Sequence, residues 1–124
     1  MDERLVIKSK IHKAHITAEA PGDDDCLRID AKLMELGNIT EWERILVVNA
    51  ANGARLEAVA RAAEAESGSI TACGAVTKLC RSGDEVSIMA FTWSGEEKSE
   101  FSNILVDGEN RFVRFLTERA GDMI

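Results

Sequence analysis

The run Arg44-Ile45-Leu46-Val47-Val48 leads into Ala51-Asn52-Gly53-Ala54, and no other feature of the chain limits its fold as strongly. A nearly continuous apolar run of this length reads as a strand buried on both faces. Asn-Gly favours positive φ and with it a hairpin turn. Arg55 to Ala63 then returns as a second strand, although its Ala, Glu and Arg content would suit a helix as well.

The same vocabulary recurs along the chain. Leu5, Ile7, Ile11 and Ile16 alternate in part with Lys and His, which predicts one or two strands. Pro21-Gly22-Asp23-Asp24-Asp25 is a turn by composition, and Leu27-Arg28-Ile29 a short strand. Asp30 is placed to N-cap a helix over Ala31 to Leu36, with Gly37 at its C-terminal boundary. Gly68 to Ala72 is extended, and Gly74 to Leu79 suits a helical turn. Ser82-Gly83-Asp84 turns into a strong strand, Glu85 to Phe91. Phe112, Phe115, Leu116 and Arg119 fall at helical spacing and predict a C-terminal amphipathic helix. Many short strands between turns point to a mainly β protein, a small closed barrel with a few short helices. The division expected is a barrel over residues 1–110 and a helical tail over 111–124.

At 124 residues, 45% of them hydrophobic, the chain has the size and apolar content of one self-sufficient domain. Its net charge of −7, with basic residues scattered, argues against nucleic acid and an anionic membrane surface. No apolar run spans a bilayer, and the charged N-terminus carries no signal-peptide core. Three cysteines, Cys26, Cys73 and Cys80, suit reduced thiols in a cytoplasmic protein. Their spacing to His12 and His15 fits no metal site. Cys73 and Cys80 read as buried small hydrophobes, and Trp42 and Trp93 as packing residues. Taken alone, Asp23-Asp24-Asp25 is a solvated turn, while Lys10 and His12 lie on one side of a strand and can simply face water.

Several of these pieces keep a common register. Lys10-Ile11-His12, Thr17, Ile29-Asp30, Asn52-Gly53-Ala54-Arg55, Gly74-Ala75 and Gly83-Asp84 before an apolar strand resemble the bacterial aspartate 1-decarboxylases over about residues 4 to 110. The resemblance implies a six-stranded double-psi β-barrel, assembled as a homotetramer with active sites between subunits. It also implies a pyruvoyl cofactor, which the family makes by cutting its own chain between a glycine and a serine. There a serine hydroxyl attacks the preceding carbonyl, a threonine polarises the peptide, a lysine and an arginine hold substrate carboxylates, and a tyrosine reprotonates the product.

This chain matches that set unevenly. Lys10, His12 and Arg55 fall on the anion-holding positions, and Gly74 and Ala75 on substrate-binding ones. Cys26 falls on the serine and Asp25 on the glycine. A thiolate is a capable nucleophile, but aspartate lacks glycine's backbone freedom and sets a negative charge beside a developing oxyanion. Ala58 replaces the threonine, Val59 the tyrosine and Cys73 a pocket asparagine, while Asp23 lies near where a pocket tyrosine belongs. The expectation is therefore a repurposed, unprocessed enzyme without a pyruvoyl cofactor, acting on a small carbonyl or carboxylate metabolite of specialised metabolism. Asp24 or Asp25 would move a proton, His12 would shuttle it, and Lys10 and Arg55 would hold negative charge. Two other readings stay open: a pyruvoyl-dependent decarboxylase matured at Cys26, and a silent homologue that only binds a ligand.

Overall fold

A computed structural model describes residues 2–95 and 101–117. The strands are β1 (Arg4–His15), β2 (Ala18–Ala20), β3 (Cys26–Asp30), β4 (Arg44–Asn49), β5 (Arg55–Ala63), β6 (Ile70–Cys73), β7 (Glu85–Ser94), β8 (Ser102–Val106) and β9 (Phe112–Leu116). One helix, α1 (Ala31–Leu36), and a 3-10 turn at Gly74–Lys78 complete the described elements.

The strands follow the order β2-β6-β3-β5-β4-β7-β1-β8-β9. Because β1 and β2 are consecutive, the segment Arg4 to Ala20 pairs with β7 at one end and with β6 at the other. Thr17 seals the join: its N–H donates to the Ile70 carbonyl (2.7 Å) and its hydroxyl oxygen accepts from the Ile70 N–H (2.9 Å). The sheet thus closes with six strand positions, in keeping with the expected barrel, and β8 and β9 extend it outside β1.

Alternation along each strand fills the interior. Ile11, Leu27, Ile29, Ile45, Val47, Ala60, Ile70, Val86 and Ile88 are fully buried there. The Asn-Gly turn joins β4 to β5 as expected, with Gly53 at φ +75. Asp30 caps α1 by accepting from the Lys32 N–H at 2.8 Å. Gly37 ends the helix at φ −90, and the left-handed residue is Asn38, at φ 53.

Three expectations need correction. The predicted C-terminal amphipathic helix does not form over the described residues: Phe112 to Leu116 is strand β9, antiparallel to β8, while Arg119 lies outside them. A bulge in the β8–β9 register, where Leu105 pairs with Arg114 but Val106 with Phe112, brings Phe112 and Phe115 together, ring centroids 5.0 Å apart. The bulge breaks the two-residue period, and the sequence then imitates helical spacing. Strand β4 is fully buried only on its inner face, for Leu46 and Val48 are half-buried on the outer one. Trp42 and Trp93 are 62% and 65% exposed rather than packed; Trp42 carries the Arg61 guanidinium 3.9 Å from its ring centroid.

Candidate active site

The site begins with a register. In antiparallel β3 and β6, Cys26 stands directly opposite Cys73 and Leu27 opposite Ala72. Leu27 and Ala72 point into the core, so alternation turns Cys26 and Cys73 to the outer face. Both are nonetheless buried, at 2% and 0% exposure. The exposed turn Pro21 to Asp25 leads into Cys26, and the 3-10 turn at Gly74–Lys78 follows Cys73. Burial, then the hydrogen bond and charge of the neighbouring Cys73 thiol, push the Cys26 thiol up to about 11. Cys26 is therefore a neutral thiol near neutral pH, a weak nucleophile.

Two contacts fasten the acidic turn. The Asp25 carboxylate accepts from the Ala75 N–H at 2.7 Å. The Asp23 N–H donates to the Ala20 carbonyl at 3.1 Å, and its carboxylate lies 3.9 Å from Arg28 Nε. Gly74, at φ +62, is what admits Asp25: a Cβ there would sit 2.3 Å from Asp25 Oδ1 and 2.7 Å from the Asp23 carbonyl oxygen. Asp24 is exposed and, among the described residues, has no hydrogen bond or ion pair.

Around Cys26 the outer face continues onto β5. Leu27 pairs with Ala60 in the parallel β3–β5 ladder, and one step back that register sets Cys26 beside Val59. Ala58 faces inward and is buried. Arg28 and Arg61 are register partners one step further on. These two arginines are the cations whose charge bears on the Cys26 thiol, and the reading from sequence passed over them. The signal was available for Arg28, which shares a face with Cys26 because it lies two residues along the same strand.

The other candidates lie elsewhere on the barrel. Arg55 opens β5, about 13 Å along the strand from Val59. Lys10 pairs with Met89 on β7, Met89 with Leu46 on β4, and Leu46 with Glu57 on β5. Counted that way Lys10 is four strand positions from Cys26, and counted the other way round the closed sheet, through β2 and β6, it is two. The eight residues from Lys10 to Ala18, roughly 26 Å if extended, set it apart along the strand. His12 is half-buried beside β8, and its Nδ1 is enclosed without a hydrogen-bond partner among the described residues. Burial first, then Lys10 and Lys13, hold its pKa below the ordinary 6.5. One chain therefore joins Asp23, Asp25, Cys26, Val59, Cys73, Gly74 and Ala75 in one neighbourhood, and sets Lys10, His12 and Arg55 apart from it.

Leu5, Ile45, Leu46, Phe91 and Trp93, with Glu43, Arg44 and Glu57, line an outer groove of about 510 Å³ over β1, β7 and β4. No group of His, Cys, Asp and Glu among the described residues is arranged to hold a metal. No described helix is long and apolar enough to cross a membrane.

The sequence profile of the family described as Aspartate decarboxylase matches residues 1–113. This chain belongs to the aspartate decarboxylase family. It is 35% identical over 114 residues to an aspartate 1-decarboxylase of Thermoanaerobacter pseudethanolicus, covering 90% of this chain and 97% of that one. Aspartate 1-decarboxylases of Bacillus thuringiensis and Bacillus cereus are 33% identical over 125 residues, covering 98% of both chains. The family is one of pyruvoyl-dependent lyases.

Proposed function

We propose that this member of the family keeps its chain intact and performs pyruvoyl-free acid–base chemistry on a small carbonyl or carboxylate metabolite. The Asp25 carboxylate held on the Ala75 N–H, directly ahead of Cys26, is the observation that carries this reading. The residues do not fit self-processing. The Cys26 thiol is buried and neutral, and the inward-facing Ala58 offers no hydroxyl to polarise the peptide. The fastened Asp25 sets a carboxylate where an oxyanion would grow, and loss of one oxyanion donor alone typically slows a reaction about a hundred- to a thousandfold.

With Asp25 held by Ala75 and Asp23 beside Arg28, the uncommitted carboxylate is Asp24. Asp24 takes the role of general base and acid. Lys10 and Arg55 hold negative charge on the substrate, and His12, kept neutral by burial, relays protons. Val59 beside Cys26 supplies an apolar wall. The suited reactions are dehydration, cyclisation, hydrolysis or decarboxylation.

Because Lys10 and His12 sit eight and six residues ahead of β2, roughly 20–26 Å from it if extended, the full set is gathered when a second copy brings its Lys10 to the first copy's turn. The half-buried apolar outer face of β4 and the groove beside it support such assembly, as a homotetramer of the family kind in the cytoplasm.

The aspartate 1-decarboxylase relatives favour a second reading, an aspartate 1-decarboxylase matured at Cys26 with a pyruvoyl group. Intact-mass measurement of the purified full chain tests both. One species at the full-chain mass is expected. Two fragments meeting between Asp25 and Cys26, the second beginning with a carbonyl group that hydrazine labels, would overturn the first reading.

A further inference from the structure

We propose that Cys26 and Cys73 are a modification site, a cross-strand dithiol that peroxide closes to a disulfide on the outer face of β3 and β6. Directly opposed residues of an antiparallel pair have Cα atoms about 4.5–5.5 Å apart, within the roughly 4.4–6.8 Å that a disulfide spans. The register makes Cys26 and Cys73 such a pair. Their side chains share a face, and both are buried, at 2% and 0% exposure. Each also stands at a strand end, Cys26 opening β3 and Cys73 closing β6, next to a turn rather than inside the barrel.

Burial of both thiols makes the site gated. The turn that leads into Cys26 is fastened by the Asp25–Ala75 bond and the Asp23–Ala20 bond. A small oxidant reaches the thiols when the turn loosens, so reaction is slow beside that of an open thiolate. The chemistry balances with hydrogen peroxide. One thiol, as thiolate, attacks a peroxide oxygen and becomes a sulfenic acid while one water leaves. The second thiol attacks that sulfur, forming the S–S bond and releasing the second water. Both sulfurs are oxidised and the peroxide is reduced; a dithiol reductant reverses the change. Cys80, buried beside Asn49 and Asp84, has no cysteine opposite it and stays a thiol.

The bond stands on geometry alone; its effect on the site rests on the function proposed above. It would tie the base of the acidic turn to β6 and remove the Cys26 thiol from any chemistry there.

The test treats the full-length native chain with hydrogen peroxide, denatures it, and counts alkylatable thiols. The reduced chain has three cysteines to alkylate. Loss of two of them, restored by dithiothreitol, with a Cys26–Cys73 peptide in a non-reducing digest, is the expected result. Retention of all three, a cross-link that includes Cys80, or oxygen addition without a cross-link would each overturn the proposal. Cys80→Ser should still close the bond, and Cys73→Ser should not. Were the chain instead processed at residue 26, two fragments would appear before any oxidant was added, so failure of the functional reading is distinguishable from failure of this one.

Discussion

Substituting Gly74 with alanine tests the fastening of the acidic turn directly. The new Cβ would fall 2.3 Å from Asp25 Oδ1, 2.7 Å from the Asp23 carbonyl and 3.0 Å from the Asp25 Cα. Two of those atoms belong to the backbone, so the turn must retreat and the Asp25–Ala75 bond breaks. Left-handed φ at a non-glycine residue costs about 1–2 kcal/mol. The exposed charge-assisted bond contributes about 1 kcal/mol after screening. Gly74→Ala should therefore destabilise by about 2–3 kcal/mol, or roughly 10 °C in Tm for a domain of this size. Asp25→Ala should cost about 1 kcal/mol by losing the bond alone. In the double variant that bond is lost only once, so the two effects should fall short of additivity by about 1 kcal/mol. Thermal or urea unfolding of the four proteins measures the cycle. Strict additivity would show that Asp25 and Gly74 do not meet, and the reasoning about the turn would fail with it.

Other expectations follow from neighbouring residues. Asp24→Asn should lower turnover about a hundredfold or more while leaving stability within about 0.5 kcal/mol; undiminished turnover would remove Asp24 from the mechanism. Asp30 is 2% exposed and its carboxylate accepts from the Lys32, Glu66 and Gly68 N–H groups, so Asp30→Ala should destabilise by about 3 kcal/mol or more in chemical denaturation. His12 is held below 6.5 mainly by burial, so folding favours its neutral form. That contribution is complete above 6.5 and declines as pH falls through the lowered value, and His12→Gln should flatten this part of a stability–pH curve. Asp84 is held below its ordinary 3.8 by Asn49 and the Arg81 N–H, so its contribution is lost at still lower pH, as the folded carboxyl protonates.

Much of the barrel was legible because period-two alternation and Gly or Asn turns are local signals. The Asn52-Gly53 hairpin, the Asp30 cap and the strand before Phe91 each announce themselves within a few residues. The β9 strand did not, because one bulge gave Phe112 and Phe115 the spacing of a helix. The buried Asn110 was also hidden. It accepts from the His15 N–H and donates to the His15 and Gly68 carbonyls, partners that the sequence separates by tens of residues. Within the site, Asp25, Cys26, Val59 and Cys73 could be found by register, whereas the Asp25–Ala75 bond and the Arg28–Asp23 approach depend on how β6 folds back beside β3. Lys10 and His12 keep to one side of β1, and Arg55 opens β5, away from the acidic turn's neighbourhood.

Thr17 makes the last stitch in the barrel wall, backed by a ladder of only three residues from Ala18 to Ala20. The polypeptide leaves that short seam and runs straight into the acidic turn. A breathing motion that parts the wall at Thr17 therefore also loosens the turn that leads into Cys26, so that seam and the approach to the thiol pair share one hinge.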